Sequence, residues 1–287
     1  MEEALRVFSA LLGFAIIGVT LYDFFFTTLT VTGTGPVTSR LNCRIWQLML
    51  RWHQRKPSHR RLAAAGPLIA IITLLSWAFA IWLGWSLLFQ ASEYAILESN
   101  TDKPASLWAR VYYAGFTLTT LGVGDYKPGT ASWQLATILA AFNGLVLLTQ
   151  AVTFIVPVVA AAAAKRRLAD YIHGLGETPS LLLKRIHNDN SGTALSRHLI
   201  QLTPLLSHAG QQHLAYPILH YFHSTERRTA LPIAVAVLDE TLTLLGHTPD
   251  LPNRPELLSR LPAQHAIQSF LAALNAAFIE SAPTRRK

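Results

Sequence analysis

Charge is scarce in this chain: 14% of its 287 residues are Asp, Glu, Lys or Arg, against 51% hydrophobic ones, and the mean hydropathy is +0.30. So little charge excludes an ordinary soluble domain and points to a membrane protein. Cysteine is nearly absent. The single Cys43 excludes an internal disulfide and lacks partners for a metal or redox pair, so its role is read as structural. Acidic residues are missing altogether between Leu29 and Leu68. The first apolar segment carries no arginine ladder, which excludes a voltage sensor, and residues 165–287 show neither alternating strands nor a glycine-rich nucleotide fingerprint.

What is present begins with three apolar runs, Val7 to about Val31, Leu68 to Phe89 and Leu135 to Ala164. Each meets the length of about 20 residues that a membrane-spanning helix needs. A cleaved signal peptide is the alternative for the first run. Its start, MEEALR, is acidic and no small-residue cleavage site follows, so it is read as a mature helix. Arg40, Arg44, Arg51, Arg55, Lys56, Arg60 and Arg61 lie between the first two runs, and Lys165, Arg166 and Arg167 follow the third. Positive flanks predict that those ends are cytoplasmic, leaving the N-terminus and the segment from Gln90 to Trp133 outside. The sequence pI near 9.9 is then a topology signal, and no nucleic-acid partner is expected.

Between the second and third runs stands TLTTLGVGDYKP, residues 117–128. Asp102 can cap a short helix with Pro104 near its first turn, continuing from Ala105 to about Leu118 with Tyr112, Tyr113 and Phe116 on apolar faces. Such a helix is too short to cross a bilayer. It is predicted to be re-entrant, and irregular backbone after it is tolerated at membrane depth only inside protein or beside water. Glycine alternates with larger residues in Thr120-Leu121-Gly122-Val123-Gly124, and positive φ at glycine lets successive carbonyls turn to one side. The loop resembles the filter of the potassium-channel pore family, usually Thr-Val-Gly-Tyr-Gly-Asp, with Asp125 in the last place. Pro128 after it and Gly144 in the third run extend the resemblance over residues 66–164.

The resemblance implies an all-α membrane protein with three transmembrane helices, a re-entrant pore helix and a filter loop, followed by a cytoplasmic all-α domain. Because a ring of about four loops is needed and the chain has one, it implies a homotetrameric pore. It assigns ion-binding layers to the Thr120 hydroxyl and carbonyl and to the carbonyls of Leu121, Gly122 and Val123, with Thr119 supporting them. K+ is the permeant ion, and no cofactor, metal or catalytic residue is expected. Asp125 at the outer mouth gathers cations, or is a simple turn residue. On the inner helix, Gly144 is the hinge position, Leu145, Leu148, Thr149 and Val152 face the cavity, and Val156 and Ala160 continue the stripe. Pro157 bends the helix, either for gating or as a static kink. Asn143 and Gln150 line the pore or bond a neighbouring helix. Two departures stand out: Val123 replaces the usual filter tyrosine, and Phe116 stands where some members carry a carboxylic acid. Both remove hydrogen bonds behind the filter.

Outside the pore, SRLNCRIWQLMLRWHQR places Leu41, Ile45, Leu48, Met49 and Trp52 on one helical face and Arg40, Arg44, Gln47 and Arg51 on the other. It reads as an interfacial helix whose arginines meet anionic lipid, or as a cytoplasmic helix packed on the soluble domain. Asp23 interrupts the apolar LYDFFFTTL, and an intramembrane carboxylate calls for a function or a partner. An arginine of the interfacial helix is the expected partner. From Lys165 onward, helices are predicted over 166–174, 178–188, 193–206, 209–223, 230–245 and 255–280, broken at HNDNSG, Gly246 and TPDLPNRP. His220 and His223 in LHYFH have a spacing that can bind metal but lack a third ligand, and Asp239 and Glu240 point in different helical directions. The expected divisions are residues 1–34, the extra helix; 35–65, the interfacial helix and linker; 66–164, the pore; and 165–287, an assembly or regulatory domain. A membrane-anchored scaffold with a poorly conducting pore is the alternative to a channel.

Overall fold

The computed structural model describes residues 2–30, 33–189, 193–248 and 255–276. The chain is mostly helical, with three helices long and apolar enough to cross a membrane among the described residues: Glu3–Leu29, His59–Leu88 and Ala131–Leu175. The elements are α1 (Glu2–Leu29), α2 (Pro36–Arg55), α3 (His59–Ala63), α4 (Ala65–Leu88), β1 (Ile96–Glu98), α5 (Leu107–Leu118), β2 (Tyr126–Pro128), α6 (Ala131–Leu175), α7 (Pro179–His187), α8 (Ala194–Ala215), α9 (Leu231–His247) and α10 (Leu257–Ala276). Short 3-10 turns at Pro217–Tyr221 and Arg227–Thr229 separate α8 from α9.

Two compact units divide the chain. The first holds α1, residues 34–41, and residues 70–156. Its core joins Ile17 of α1, Ile81, Trp85 and Leu88 of α4, Tyr113 and Phe116 of α5, and Ala140 of α6. Gly13 and Gly84 let α1 and α4 approach backbone to backbone: a Cβ on Gly13 would stand 2.7 Å from the Gly84 carbonyl oxygen. Small residues at a helix crossing give the dispersion contact that hydrophobicity cannot supply in lipid.

The expectation of an all-α fold needs one correction. β1 pairs antiparallel with β2, in the register Ile96↔Pro128, Leu97↔Lys127, Glu98↔Tyr126. Three-residue strands are too short to announce themselves by alternation. The helix start also moves. Ser106 caps α5, accepting from Ala109 N at 3.3 Å, whereas Asp102 sits in the left-handed region (φ 56°) and pairs with Lys127 at 2.7 Å.

The second unit holds residues 30, 33, 42–69 and 157–287, apart from those not described. Leu168, Ala169 and Ile172 at the end of α6 share a core with α7, α8, α9 and α10, in which Leu199, Leu202, Leu206, Leu238, Leu242 and Phe270 are fully buried. The predicted helix 166–174 is the continuation of α6, which runs unbroken past Pro157. Residues 194–206 and the first half of 209–223, as far as Ala215, form one helix, α8, with Pro204 inside it, and Pro217–Tyr221 of the predicted helix is a 3-10 turn. No break separates them because LLSHAG offers only Gly210, which lies in contact with the Phe270 backbone inside the helix-helix packing. Part of HNDNSG and of TPDLPNRP, and the end of the predicted 255–280 helix, lie outside the described residues.

Candidate functional site: the glycine loop and the helix behind it

The end of α5 sets the loop's starting direction. Thr119 N donates to Gly115 O (3.1 Å), Thr120 N to Thr117 O (3.0 Å) and Leu121 N to Phe116 O (2.9 Å), so the first loop amides satisfy the helix's last carbonyls. Beyond them φ is positive at Thr120 (56°), Gly122 (60°) and Gly124 (88°), and not at Leu121 or Val123. Alternation of handedness at successive residues turns neighbouring carbonyls towards a common side. Two of the three positions are glycine, which adopts this geometry without strain. Thr120 does so at a cost of about 1–2 kcal/mol.

Residues 119–125 are all exposed in the single chain, with Leu121 at 69%. Behind them the chain is tightly filled. Phe116 packs against Tyr112 (5.2 Å between ring centroids) and Tyr113 (5.0 Å), and Tyr113 meets Phe89 at 5.2 Å. The Tyr113 hydroxyl shares a 2.8 Å hydrogen bond with Thr137 on α6, tying the short helix to the long one. Trp82 of α4 donates to Val111 O at 2.9 Å. Arg110 is also buried, donating to Ala105 O (3.0 Å) and Glu93 O (2.9 Å) and fastening α5 to the segment after α4. Arg110 escapes a sequence reading because its partners are main-chain carbonyls.

Gly144 stands on α6 where a Cβ would overlap the Leu118 carbonyl oxygen. Leu145, Leu148, Thr149, Val152 and Val156 are exposed along one stripe, and Pro157 is half-buried. Asn143 and Gln150 are half-buried. An apolar groove of about 790 Å³ runs beside them, lined by Leu75, Phe79 and Trp82 on α4, Phe116 on α5, and Leu145 and Leu148 on α6.

Asp23 requires a correction. It is 1% exposed, and its acceptors are filled by Val37 N (2.7 Å), Thr38 N (3.1 Å), the Thr38 hydroxyl and Trp77 Nε1 (3.1 Å). No arginine is among these partners. The carboxylate caps the N-terminus of α2, where unsatisfied amides and the helix dipole both favour a negative group. Gly35 has no room for a Cβ beside Asp23, and Gly35 N donates to the Thr27 hydroxyl at 2.9 Å. The sequence signal was the Gly35-Pro36-Val37-Thr38 helix start, whose missing acidic cap is supplied from α1.

In the second unit, Leu219–His223 gathers several segments. Lys165 Nζ donates to Leu219 O (3.2 Å) and Phe222 O (2.9 Å). Tyr221 lies on Trp46 of α2 (5.5 Å), the Phe222 ring fills the space that Gly66 leaves open, and His223 Nε2 is 3.3 Å from His59 Nδ1. His220 stands 5.0 Å from His213. Burial pushes the His213 imidazole down to about 4 and that of His220 to about 3, with nearby positive Lys165 adding to both. Among the described residues no group of three or more His, Cys, Asp or Glu is placed to hold a metal ion.

Two membrane-length helices thus bracket a short helix and a handedness-alternating glycine loop. Residues 70–161 match the family described as "Ion channel". The chain is 31% identical over 272 residues to the uncharacterized membrane protein YdjJ of Bacillus subtilis (strain 168), a match that covers 94% of this chain and 79% of that protein. No solved structure matches it. The chain belongs to one family of membrane proteins with YdjJ, and within it residues 70–161 match an ion-channel pore of the potassium-channel type.

Proposed function

We infer that the chain is one subunit of a homotetrameric potassium-selective channel that conducts K+ passively across the cell membrane. The alternation of positive φ at Thr120, Gly122 and Gly124 carries this reading. Four such loops around an axis would present rings of Thr120, Leu121, Gly122 and Val123 carbonyls that replace the water shell of a dehydrated cation. Exposure of residues 119–125 and of the α6 stripe in one chain supports partner copies on those faces. The C-terminal end of α5 contributes partial negative charge below the filter, and Asp125 contributes a negative charge at its mouth. Leu145, Leu148, Thr149, Val152 and Val156 line the cavity, where an apolar ring can close by dewetting. Gly144 serves as a packing contact for the Leu118 carbonyl as well as a hinge position.

The positive flanks support an N-terminus outside and residues 165–287 in the cytoplasm, as a regulatory or assembly domain. The contacts of Lys165, Trp46, Gly66 and His59 with Leu219–His223 support a regulatory route to the inner helix. Exposed Leu48 and Trp52 on α2 support an interfacial position against lipid, whose anionic headgroups Arg40, Arg44 and Arg51 would meet. Membership of an ion-channel family supports a non-enzymatic role.

A nonselective monovalent cation channel is the second reading, favoured by Val123 and Phe116, neither of which can form the hydrogen bond that the family's tyrosine or carboxylic acid makes behind the filter. Purified protein in liposomes tests the first. Potassium flux is expected, and its absence at every pH, voltage and membrane tension would leave the scaffold alternative.

A further inference from the structure

With valine and phenylalanine at positions 123 and 116, something other than a phenol or a carboxylate must fix the outer end of the loop. Ser99, directly after β1, reaches it. The Ser99 hydroxyl donates to Gly124 O at 2.7 Å, and Ser99 N donates to Asp125 O at 2.9 Å. Those two carbonyls are the last of the glycine loop, and a single residue holds both.

Ser99 is itself held. Ile96, three residues before it, is fully buried, and the ladder pairs Glu98 with Tyr126, the residue that follows Asp125. Glu98 N donates to Lys103 O (2.9 Å) and Asp102 N to Glu98 O (3.0 Å), so residues 98–103 close as a tight turn. The Thr101 hydroxyl donates to the Glu98 carboxylate at 2.8 Å, and Lys127 on β2 pairs with Asp102 at 2.7 Å. The chain before α5 and the chain after the loop are thereby laced together beside Gly124.

We propose that Ser99 is the positioning residue of the filter, an outer clamp that takes over the role of the missing brace behind it. By engaging the Gly124 carbonyl, the clamp makes Val123 the outermost rung and fixes the spacing of the rungs below. The restraint is applied from the turn after β1 and not from the pore helix, so a valine at position 123 is compatible with an ordered filter. The proposal rests on the channel reading for its ion-selective consequence, and on the hydrogen bonds alone for its structural one.

The test is Ser99→Ala in the full-length protein, with Ser99→Thr as the conservative variant that retains a hydroxyl. In liposomes, Ser99→Ala should still conduct, with its K+ over Na+ permeability ratio reduced about five-fold, the change that loss of one ordinary hydrogen bond produces. Ser99→Thr should restore the ratio. Hydrogen exchange supplies a readout independent of conduction. Amides of residues 121–126 should exchange about five-fold faster in Ser99→Ala, with those of α9 and α10 unchanged. Lys127→Gln, which releases the turn more gently, should move both readouts in the same direction by about two-fold. Unchanged exchange in residues 121–126 would overturn the clamp whatever the protein conducts. Faster exchange in a protein whose wild type passes no K+ would instead overturn the channel reading and keep the clamp. A selective wild type with an unchanged ratio in Ser99→Ala would overturn the clamp's part in selectivity.

Discussion

Replacing Asp23 with alanine leaves Val37 N, Thr38 N, the Thr38 hydroxyl and Trp77 Nε1 without their acceptor, in a place where Thr38 and Trp77 are 2% and 3% exposed. Each buried donor left unsatisfied costs about 1–3 kcal/mol, and relaxation or an entering water offsets part of this. A net loss of about 3–5 kcal/mol follows, the range found when one side of a buried charged network is removed. Asp23→Asn keeps the volume and one acceptor but sets an amide NH₂ against the remaining donors, so about half that loss is expected. For a chain of this size 1 kcal/mol corresponds to roughly 2–4 °C, which puts Asp23→Ala about 10 °C below wild type in thermal unfolding of the detergent-solubilised protein. Arg40→Gln and Arg44→Gln should leave the melting temperature unchanged, because neither arginine is among the partners of the carboxylate. If the arginine variants destabilise as much as Asp23→Ala, or if Asp23→Ala melts with wild type, the capping account is wrong.

Gly144→Ala drives a methyl group into the Leu118 carbonyl, so α6 must shift away from α5. Overpacking of this kind costs about 1–3 kcal/mol, and liposome flux should fall sharply, whereas Gly18→Ala, with nothing within 4 Å of its Cβ, should conduct as wild type. Burial holds the His213 and His220 imidazoles down to about 4 and about 3 in the folded protein, below the unfolded value of about 6.5. The unfolded chain then binds more protons between those values, so their contribution is complete above pH 6.5 and is lost as pH falls through 4. His213→Phe should flatten the acid limb of a melting-temperature profile between pH 6.5 and 4 and leave the alkaline limb alone. Lys165→Met removes the donor to Leu219 O and Phe222 O. Limited proteolysis should then cut faster between residues 216 and 230, and an unchanged rate would dismiss the contact as incidental.

The spans were legible because about 20 apolar residues flanked by arginine leave few alternatives. The glycine loop was legible because few residues other than glycine adopt positive φ cheaply, although Thr120 shows the same φ and nothing in its identity signals it. Asp23 was recognisable as anomalous but was given the wrong partner. Main-chain amides are present at every position, so a sequence cannot indicate which of them a carboxylate will meet. The same reason hid Ser99 and Arg110, whose partners are carbonyls at Gly124, Ala105 and Glu93. Strands of three residues carry too few side chains to show a period of two, so the β1–β2 pairing emerges only from tertiary structure. Composition marked the second unit as helical. That α6 continues into it as one helix reflects packing of Leu168, Ala169 and Ile172 on its core, which the basic residues 165–167 obscured.

A bi-ionic reversal potential separates a carbonyl filter that selects potassium from a loop that does not. Protein reconstituted in a planar bilayer with equal K+ on one side and Na+ on the other should reverse far from zero, at the sign set by K+ flow. A conducting protein that reverses at zero would show that the loop passes both ions alike, and would contradict potassium selection.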